Sequence, residues 1–203
     1  MRSLRLFSFL LAILIGWSAW ASAEDRIPSR AYEFRRTLHA EVNRTWGLHV
    51  PPDAYAISAG TIHQESAWNP MAHSAFAKGL TQFTDPTWAD MIRRDPSIAQ
   101  LGDVFNPHAA MRAMTTYHRL LWNQLKPNTS EAERWAFVLS AYNGGPGWVT
   151  RDQKICASIP ACLPLQWWGN VELHSKRASW AFKENRGYPR NILKRWLPLY
   201  SSF

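Results

Sequence analysis

The chain has 203 residues and a formal net charge of +8 at pH 7. This length predicts one domain, with or without a terminal extension, and suffices for a real hydrophobic core. The basic balance favours an anionic partner without identifying it, because nucleic acids and cell-envelope polymers are both anionic. The two cysteines form no CxxC pair, which argues against a zinc site.

Residues 1–23 have the three parts of a secretory signal peptide. Two arginines come first, an apolar run follows over residues 6–20, and the small residues Ala-Ser-Ala stand at 21–23. The alternative is an uncleaved membrane anchor, but the run is shorter than the roughly 20 apolar residues that span a bilayer. We therefore predict cleavage after Ala23 and export to the periplasm or the extracellular space, with no membrane span afterwards.

Apolar residues at helical spacing dominate the rest of the chain, and the alternation typical of strands is scarce. A first helix is predicted from Ser29, as N-cap, to Trp46, with Gly47 as a stop signal. A second helix opens at residues 51–53, Pro-Pro-Asp, and ends near Ser66. These patterns predict a mostly α fold.

Two more helices are marked by their ends. One begins after Asn106-Pro107, and the next begins with a capping box at residues 130–133 and breaks at Gly-Gly-Pro, 144–146. Beyond residue 150 we predict helices only around 170–185 and 189–196. The predicted organisation is an N-terminal helix packing on the core (24–50), a catalytic core (51–150) and a C-terminal helical part that completes the domain (151–203).

The cysteines, Cys156 and Cys162, lie close together in ICASIPAC. In an exported chain such a pair predicts a disulfide that closes a small loop, with two free thiols as the alternative.

Glu65 stands at the end of the second predicted helix and continues a mostly apolar stripe that includes Ile57 and Ile62. Apolar surroundings disfavour the charged carboxylate, so its pKa should rise and the group could serve as a general acid. Taken alone, a buried glutamate is more often paired with an arginine or bonded to a backbone group. The next acid along the chain is Asp85, so no second carboxylate stands beside Glu65, although most glycosidases use two and some families take the missing group from the substrate.

Three short motifs around this acid occur in one order. They are Glu65-Ser66, then Gly79-Leu80 with Gln82 and a following Pro-Thr at 86–87, then AYNGGPG at 141–147. In order and spacing, residues 50–150 resemble the lysozyme-like lytic transglycosylases of the soluble type. The chain departs from that family at Phe76 in place of Gly, Thr81 in place of Met and Gly144 in place of Ala.

This resemblance implies an all-α, lysozyme-like domain that cleaves the β-1,4 bond between N-acetylmuramic acid and N-acetylglucosamine in peptidoglycan. The residue at the position of Glu65 first protonates the glycosidic oxygen. It then acts as base while the C6 hydroxyl of the sugar closes onto C1, leaving a 1,6-anhydro end. The implied partner is the glycan strand, and no cofactor or metal is expected; we also expect a monomer.

The resemblance also assigns binding residues. Ser66 and Gln82 would line the cleft, Tyr142 would hydrogen-bond near the acid, and Asn143 would be its structural or sugar-contacting neighbour. Each has an alternative role. Ser66 could be a hydroxyl at a helix end and Gln82 a hydrogen-bonding residue of a loop. Tyr142 could be a core aromatic residue and Asn143 a helix C-cap. ENRGYPRNIL at 184–193 resembles a further stretch of the family and adds Tyr188, whose alternative role is to anchor the last helix.

Tryptophans near the motifs are further candidates. Trp68 and Trp88 flank them and are predicted as cleft walls, whereas Trp135 is predicted to be core.

Two other interpretations stay open, and a third, nucleic-acid binding, is set aside. A hydrolytic lysozyme on the same scaffold would need Asp85 or Asp90 to place a water molecule. An inactive glycan-binding envelope protein would use the basic surface and the aromatic residues alone. A nucleic-acid binder fits the charge but not the export signal. The His-x-Glu order at 63–65 lacks the cysteines of a zinc deaminase, so metal chemistry is set aside.

Overall fold

The computed structural model describes residues 26–124 and 130–203, so the predicted signal peptide lies outside the described residues. The prediction of an all-α fold is confirmed: these two segments contain helices and, instead of strands, two isolated bridges within residues 73–83. The helices are α1 Ser29–Trp46, α2 Ala54–Ser66, α3 Asp85–Arg94, α4 Ser97–Leu101, α5 Pro107–Gln124, α6 Glu131–Gly144, α7 Pro146–Ala157, α8 Ser179–Asn191 and α9 Leu197–Tyr200. A 3-10 turn, Val171–Leu173, precedes α8, and a π-helical turn, Ile192–Trp196, joins α8 to α9.

Helix α2 forms the centre of the fold. Its residues from Ala56 to Ile62 are all buried, the pattern of a helix that is surrounded by protein. It packs against α1 on one side and against the π-helical turn and α9 on another. A Cβ on Gly60 would lie 2.9 Å from the Trp196 Cβ, so this glycine allows the close approach of the two elements.

The remaining helices pack on the elements next to α2 and on one another. Helix α5 packs on α1 and α6, and α6 packs on α7 and α8. The tryptophans Trp46, Trp122 and Trp135 meet where α1, α5 and α6 join, with ring centroids 4.9 to 6.0 Å apart. Trp135 is buried, as predicted.

Several predicted boundaries were wrong. Pro28, not Ser29, occupies the N-cap of α1. Helices α3 and α4 were missed, although Thr84 caps α3 by accepting from the Thr87 backbone N–H and Pro86 stands in its first turn. The break at residues 144–146 is only a corner, because Gly145 takes φ 88° and α7 starts at once with Pro146.

The C-terminal helix also differs from its prediction. We expected one helix to end near residue 185 and another to begin at 189, but α8 starts at Ser179 and continues through Pro189 into the π-helical turn. Proline inside a helix removes one backbone hydrogen bond. Burial of Tyr188, Ile192 and Trp196 in the core outweighs that cost.

A disulfide joins Cys156, near the end of α7, to Cys162 in the following loop. Within the two described segments, no helix combines the length and apolar character needed to cross a bilayer.

Candidate active site

Glu65 lies in the last turn of α2, and the backbone turns sharply after it. Ala67 and Trp68 both take left-handed conformations, with φ 48° and 65°. This turn places Trp68 in the core, fully buried, where its indole N–H donates to the Tyr200 hydroxyl at 2.6 Å. The prediction of Trp68 as a cleft wall is therefore wrong, and its role is to anchor the end of α2.

The Glu65 carboxyl is half-buried and meets Tyr188 of α8. The Tyr188 hydroxyl donates to Glu65 Oε1 at 2.5 Å, and the Tyr142 ring stacks on the Tyr188 ring at 6.3 Å. Burial raises the pKa of Glu65 to about 8, the Tyr188 hydrogen bond opposes this, and the negative charge of Glu184 adds to it. None of the lysines and arginines in the described residues forms an ion pair with Glu65. The group is therefore a carboxylic acid at neutral pH.

Three of the predicted site residues hold the loop over residues 72–83 against α2 and α6. Ser66 Oγ donates to the Leu80 carbonyl at 2.7 Å, and the Tyr142 hydroxyl donates to the Thr81 carbonyl at 2.9 Å. The Gln82 amide donates to the carbonyls of Ala72 and Gly79. The structure thus shows Ser66, Gln82 and Tyr142 bonded to backbone groups of this loop, next to Glu65.

Gly79 fixes the position of the same loop. It has φ 76°, and a Cβ there would lie 2.0 Å from the Val104 carbonyl oxygen, so no side chain fits. Of the two departures noted in this loop, Thr81 is buried with its hydroxyl 3.5 Å from the Ala110 carbonyl, and Phe76 is exposed.

Asn143 lies in the wall of a cleft and bonds to two residues of α8. Its side-chain oxygen accepts from Asn185 at 2.9 Å, and its amide donates to Glu184 at 3.5 Å. The cleft has a volume of about 310 Å³, and its wall is formed by residues from α6, α7 and the start of α8. The lining residues are Asn143, Gly144, Trp148, Arg177, Ala178, Trp180, Ala181 and Glu184.

Sequence reasoning missed Glu184, Asn185, Trp148, Trp180 and Arg177. The first two stand in ENRGYPRNIL, the stretch that supplied Tyr188, so a helical projection of that stretch could have found them. Trp148 directly follows the AYNGGPG motif, whereas Trp180 and Arg177 lie in a segment that carries no recognisable motif. A more enclosed depression, lined by Trp135, Trp168 and Lys194 among others, includes none of the predicted site residues.

The acids that a hydrolytic enzyme would need for water placement are occupied elsewhere. Asp85 pairs with Lys78 at 2.8 Å, and Asp90 pairs with Arg93 and Arg94 on α3. Trp88 is half-buried and packs on Phe83. Among residues 26–124 and 130–203, no group of three or more His, Cys, Asp or Glu side chains is arranged to hold a metal ion.

Comparison with known proteins agrees with this geometry. Residues 53–158 match the family described as Transglycosylase SLT domain. The membrane-bound lytic murein transglycosylase F of Shewanella loihica is 30% identical over 102 residues, which cover 50% of this chain and 20% of that protein. The same enzyme of another Shewanella strain is 26% identical over 137 residues, covering 66% of this chain and 27% of its own length.

Among solved structures, the chain is similar to the 70 kDa soluble lytic transglycosylase of Escherichia coli. The TM-score is 0.54 with 25% sequence identity, over 81% of this chain and 24% of that one. The predicted lysozyme-like lytic transglycosylase fold is confirmed by this match. The chain spans only a fifth to about a quarter of the length of these proteins. Because the family profile covers more than half of its residues, the chain belongs to the transglycosylase SLT domain family.

Proposed function

We propose that the protein is a peptidoglycan lytic transglycosylase that cleaves the β-1,4 bond between N-acetylmuramic acid and N-acetylglucosamine. The observation that carries this proposal is the state of Glu65, a carboxyl with a pKa of about 8 held by a tyrosine and unpaired with any cation of the described residues. The names of the relatives, lytic murein transglycosylases, support the same substrate class.

In the first step Glu65 acts as general acid. The Tyr188 hydroxyl fixes Oε1, while Oε2 has no hydrogen-bond partner among the described side chains and is not enclosed. The proton moves to the glycosidic oxygen as the bond from that oxygen to C1 breaks, and positive charge develops at C1. Glu65 is left as a carboxylate in a site that disfavours its charge.

In the second step the same carboxylate acts as base. It takes the proton of the C6 hydroxyl while O6 forms a bond to C1, which closes the 1,6-anhydro ring and returns the proton to Glu65. A raised pKa suits both steps, because the group is protonated at neutral pH and is a stronger base than an ordinary carboxylate once ionised. No water is consumed, which fits the ion pairs that occupy Asp85 and Asp90.

The other predicted residues have supporting roles in this proposal. Ser66, Gln82 and Tyr142 keep the loop over 72–83 in place as one wall, and Asn143 lines the other. The segment 51–150 supplies the acid, and 151–203 supplies Tyr188, so both parts form one catalytic unit. We propose that the enzyme acts in the cell envelope, where its basic surface meets anionic polymers.

Mass spectrometry of the fragments released from purified peptidoglycan tests the reaction. We expect 1,6-anhydro ends; reducing ends that carry one added water would show a hydrolytic lysozyme instead. Glu65→Gln should lower the rate by about 10²- to 10⁴-fold, since it cannot donate and reclaim a proton. Asp85→Asn and Asp90→Asn are the matched controls and should retain the rate. A fully active Glu65→Gln enzyme would overturn the assignment of Glu65 as the catalytic acid.

A further inference from the structure

Arg177 lies just before α8 and is almost enclosed, with 4% of its side chain exposed. Among the described residues, it lies within ion-pair distance of one carboxylate, that of Asp152 in α7, whose side chain is fully buried. That carboxylate is already bonded: Arg186 donates to Oδ2 at 2.8 Å and Ser175 donates to Oδ1 at 2.7 Å. Arg177 Nε stays 3.6 Å from Oδ2, beyond hydrogen-bond distance.

The cluster of Asp152, Arg177 and Arg186 therefore contains two guanidinium groups and one carboxylate. Nε and Nη2 of Arg177 are buried and have no hydrogen-bond partner among the described residues. Burial, countered by the attraction of Asp152, lowers the pKa of Arg177 to about 10, which leaves it charged at neutral pH. A buried cation without a matched anion is costly, because its lost hydration is not replaced.

The third nitrogen of Arg177 lies at the cleft that Asn143 and Glu184 line. A Cβ on Gly144 would lie 2.1 Å from Arg177 Nη1 and 2.7 Å from Asn185 Nδ2. The glycine therefore leaves the space into which this edge of the guanidinium extends. Arg177 and Gly144 both line the cleft, and Trp148 lies under the guanidinium, with 5.2 Å from Cζ to the ring centroid.

We propose that Arg177, whose Nη1 lies beside Gly144 in the cleft wall, is a subsite for a carboxylate carried by the glycan strand. The Nη1 group at the cleft can donate a charge-assisted hydrogen bond to a carboxylate, which is stronger than a bond between neutral groups. A bound carboxylate would supply the negative charge that the cluster of Asp152, Arg177 and Arg186 lacks. The proposal rests on the proposed function for the identity of the strand, in which the acidic group belongs to the muramic acid residue.

The walls of the cleft fit the rest of such a substituent. Trp148 and Trp180 present aromatic surface to its apolar part. Glu184, at the side nearest Asn143, is an acceptor for an amide N–H and not a partner for the carboxylate. The carboxylate has two sources, the ether-linked lactyl group of a bare muramic acid and the free acid of a peptide attached to it, and the experiment distinguishes them.

Binding is measured by isothermal titration calorimetry with the Glu65→Gln protein and with probes that contain no β-1,4 bond to cleave. The probes are N-acetylmuramic acid, its lactyl methylamide, and an N-acetylmuramoyl dipeptide that ends in a free carboxylate. We expect a carboxylate-bearing probe to bind at least about tenfold more tightly than the methylamide. If the subsite binds the lactyl carboxylate, N-acetylmuramic acid should bind more tightly than the methylamide. If it binds the peptide carboxylate, the dipeptide should do so. Equal affinity for all three probes overturns the subsite.

Three substitutions, each added to the Glu65→Gln protein, test whether Arg177 causes the preference for carboxylate. Arg177→Met should abolish the preference for carboxylate. Gly144→Ala keeps the charge but moves the guanidinium, and it should reduce the preference even where Arg177→Met fails to fold. Arg151→Met is the matched control, because Arg151 also stacks on Trp148, at 4.9 Å, but is exposed and lies outside the cleft wall. A preference that survives both Arg177→Met and Gly144→Ala contradicts the proposal.

Failure of this proposal is distinguishable from failure of the proposed function. Anhydro products from the unsubstituted enzyme, together with equal affinities for the three probes, overturn only the subsite. A carboxylate preference together with hydrolytic products overturns only the lytic reaction.

Discussion

Two glutamates on neighbouring helices, Glu41 of α1 and Glu65 of α2, are both removed from water and titrate in opposite directions. Glu41 is only 2% exposed. Burial would raise its pKa, but hydrogen bonds from Arg112 and His108 outweigh burial and hold the pKa below its usual value. Glu65 is more accessible, yet burial raises its pKa to about 8, because the only opposing hydrogen bond among the described residues comes from a neutral tyrosine and the charge of Glu184 adds to the rise.

The comparison shows that the partner, more than the depth of burial, decides what a buried carboxyl does. Arg112 binds Glu41 through two nitrogens, at 2.7 and 2.9 Å, and links α1 to α5. Glu41 thus has the structural role that a buried glutamate most often has, and Glu65 does not. A site that keeps a carboxyl protonated must exclude cations, which costs stability.

Glu41→Gln should give the largest effect, a loss of about 3 kcal/mol in the free energy of unfolding, because Arg112 would remain buried without its counter-ion. Urea unfolding measures this. Glu33→Gln, on the exposed side of the same helix, is the control and should change stability little. A Glu41→Gln protein as stable as the control would contradict the structural role of Glu41 and its contrast with Glu65.

Glu65→Gln should raise the free energy of unfolding at neutral pH, whereas Glu41→Gln lowers it. The unfolded chain releases the Glu65 proton near its ordinary pKa of 4.5, whereas the folded chain keeps it up to about pH 8. The parent therefore loses stability from this group as pH rises between these values, and the glutamine variant does not. At pH 7 the variant should be more stable by about 2 kcal/mol, allowing for partial solvent screening.

Thermal or urea unfolding at pH 4 and pH 7 checks the sign of this difference. The free energies of unfolding of the two proteins should be similar at pH 4 and separate by pH 7. A difference that stays constant over this range would show that Glu65 has an ordinary pKa in the folded chain.

Tyr188→Phe should move the alkaline side of the pH–rate profile to higher pH. The hydroxyl stabilises the Glu65 carboxylate, so its loss raises the pKa of Glu65 further. We also expect the rate at pH 7 to fall about tenfold, since the acid loses the bond that orients it. Tyr117→Phe, which removes another buried hydroxyl near Tyr142, serves as the control. An unmoved profile in Tyr188→Phe would mean that the bond does not tune the acid.

Glu184→Gln should give the smallest shift of the pH–rate profile, in the direction opposite to that of Tyr188→Phe. Removing this negative charge lowers the pKa of Glu65, so the alkaline side of the profile moves to lower pH. Glu184 is exposed, and the rate at pH 7 should stay within about twofold. A shift toward higher pH would contradict the assigned electrostatic contact. A much larger loss, with hydrolytic products in the parent, would identify Glu184 as a second catalytic carboxylate.

Helix ends marked by proline, glycine and capping residues account for the part of the fold that was predictable. Helix α2 follows Pro51 and Pro52, and Ser130 caps α6 through the Glu133 backbone N–H. Even there the sequence pattern was only half right. The Glu133 carboxylate does not return to the cap but accepts from the backbone N–H groups of Trp167 and Trp168. A local pattern predicts a local bond, and tertiary contacts decide where a longer side chain goes.

The candidate site likewise has a part that the sequence predicts and a part that only the folded structure shows. Glu65 stands out locally because it continues an apolar stripe, and Tyr188 was assigned by resemblance. Their bond joins residues 123 positions apart, and no spacing rule predicts it. Arg177 could not be found at all, because its unmatched charge appears only when Asp152 and Arg186 are brought together from α7 and α8.

Because a chain is synthesised from its N-terminus, the α8 to α9 segment is made after the helix that carries Glu65. A ribosome completes Glu65 and its helix well before it reaches Tyr188, whose hydroxyl holds the carboxyl from the far end of the sequence. A nascent chain that ends before α8 already carries the acid but lacks both Tyr188 and the charge of Glu184. The carboxyl becomes a tuned acid only when the last long helix packs on α6 and brings Tyr188 to Glu65, so the proposed activity should appear as one of the final events of folding.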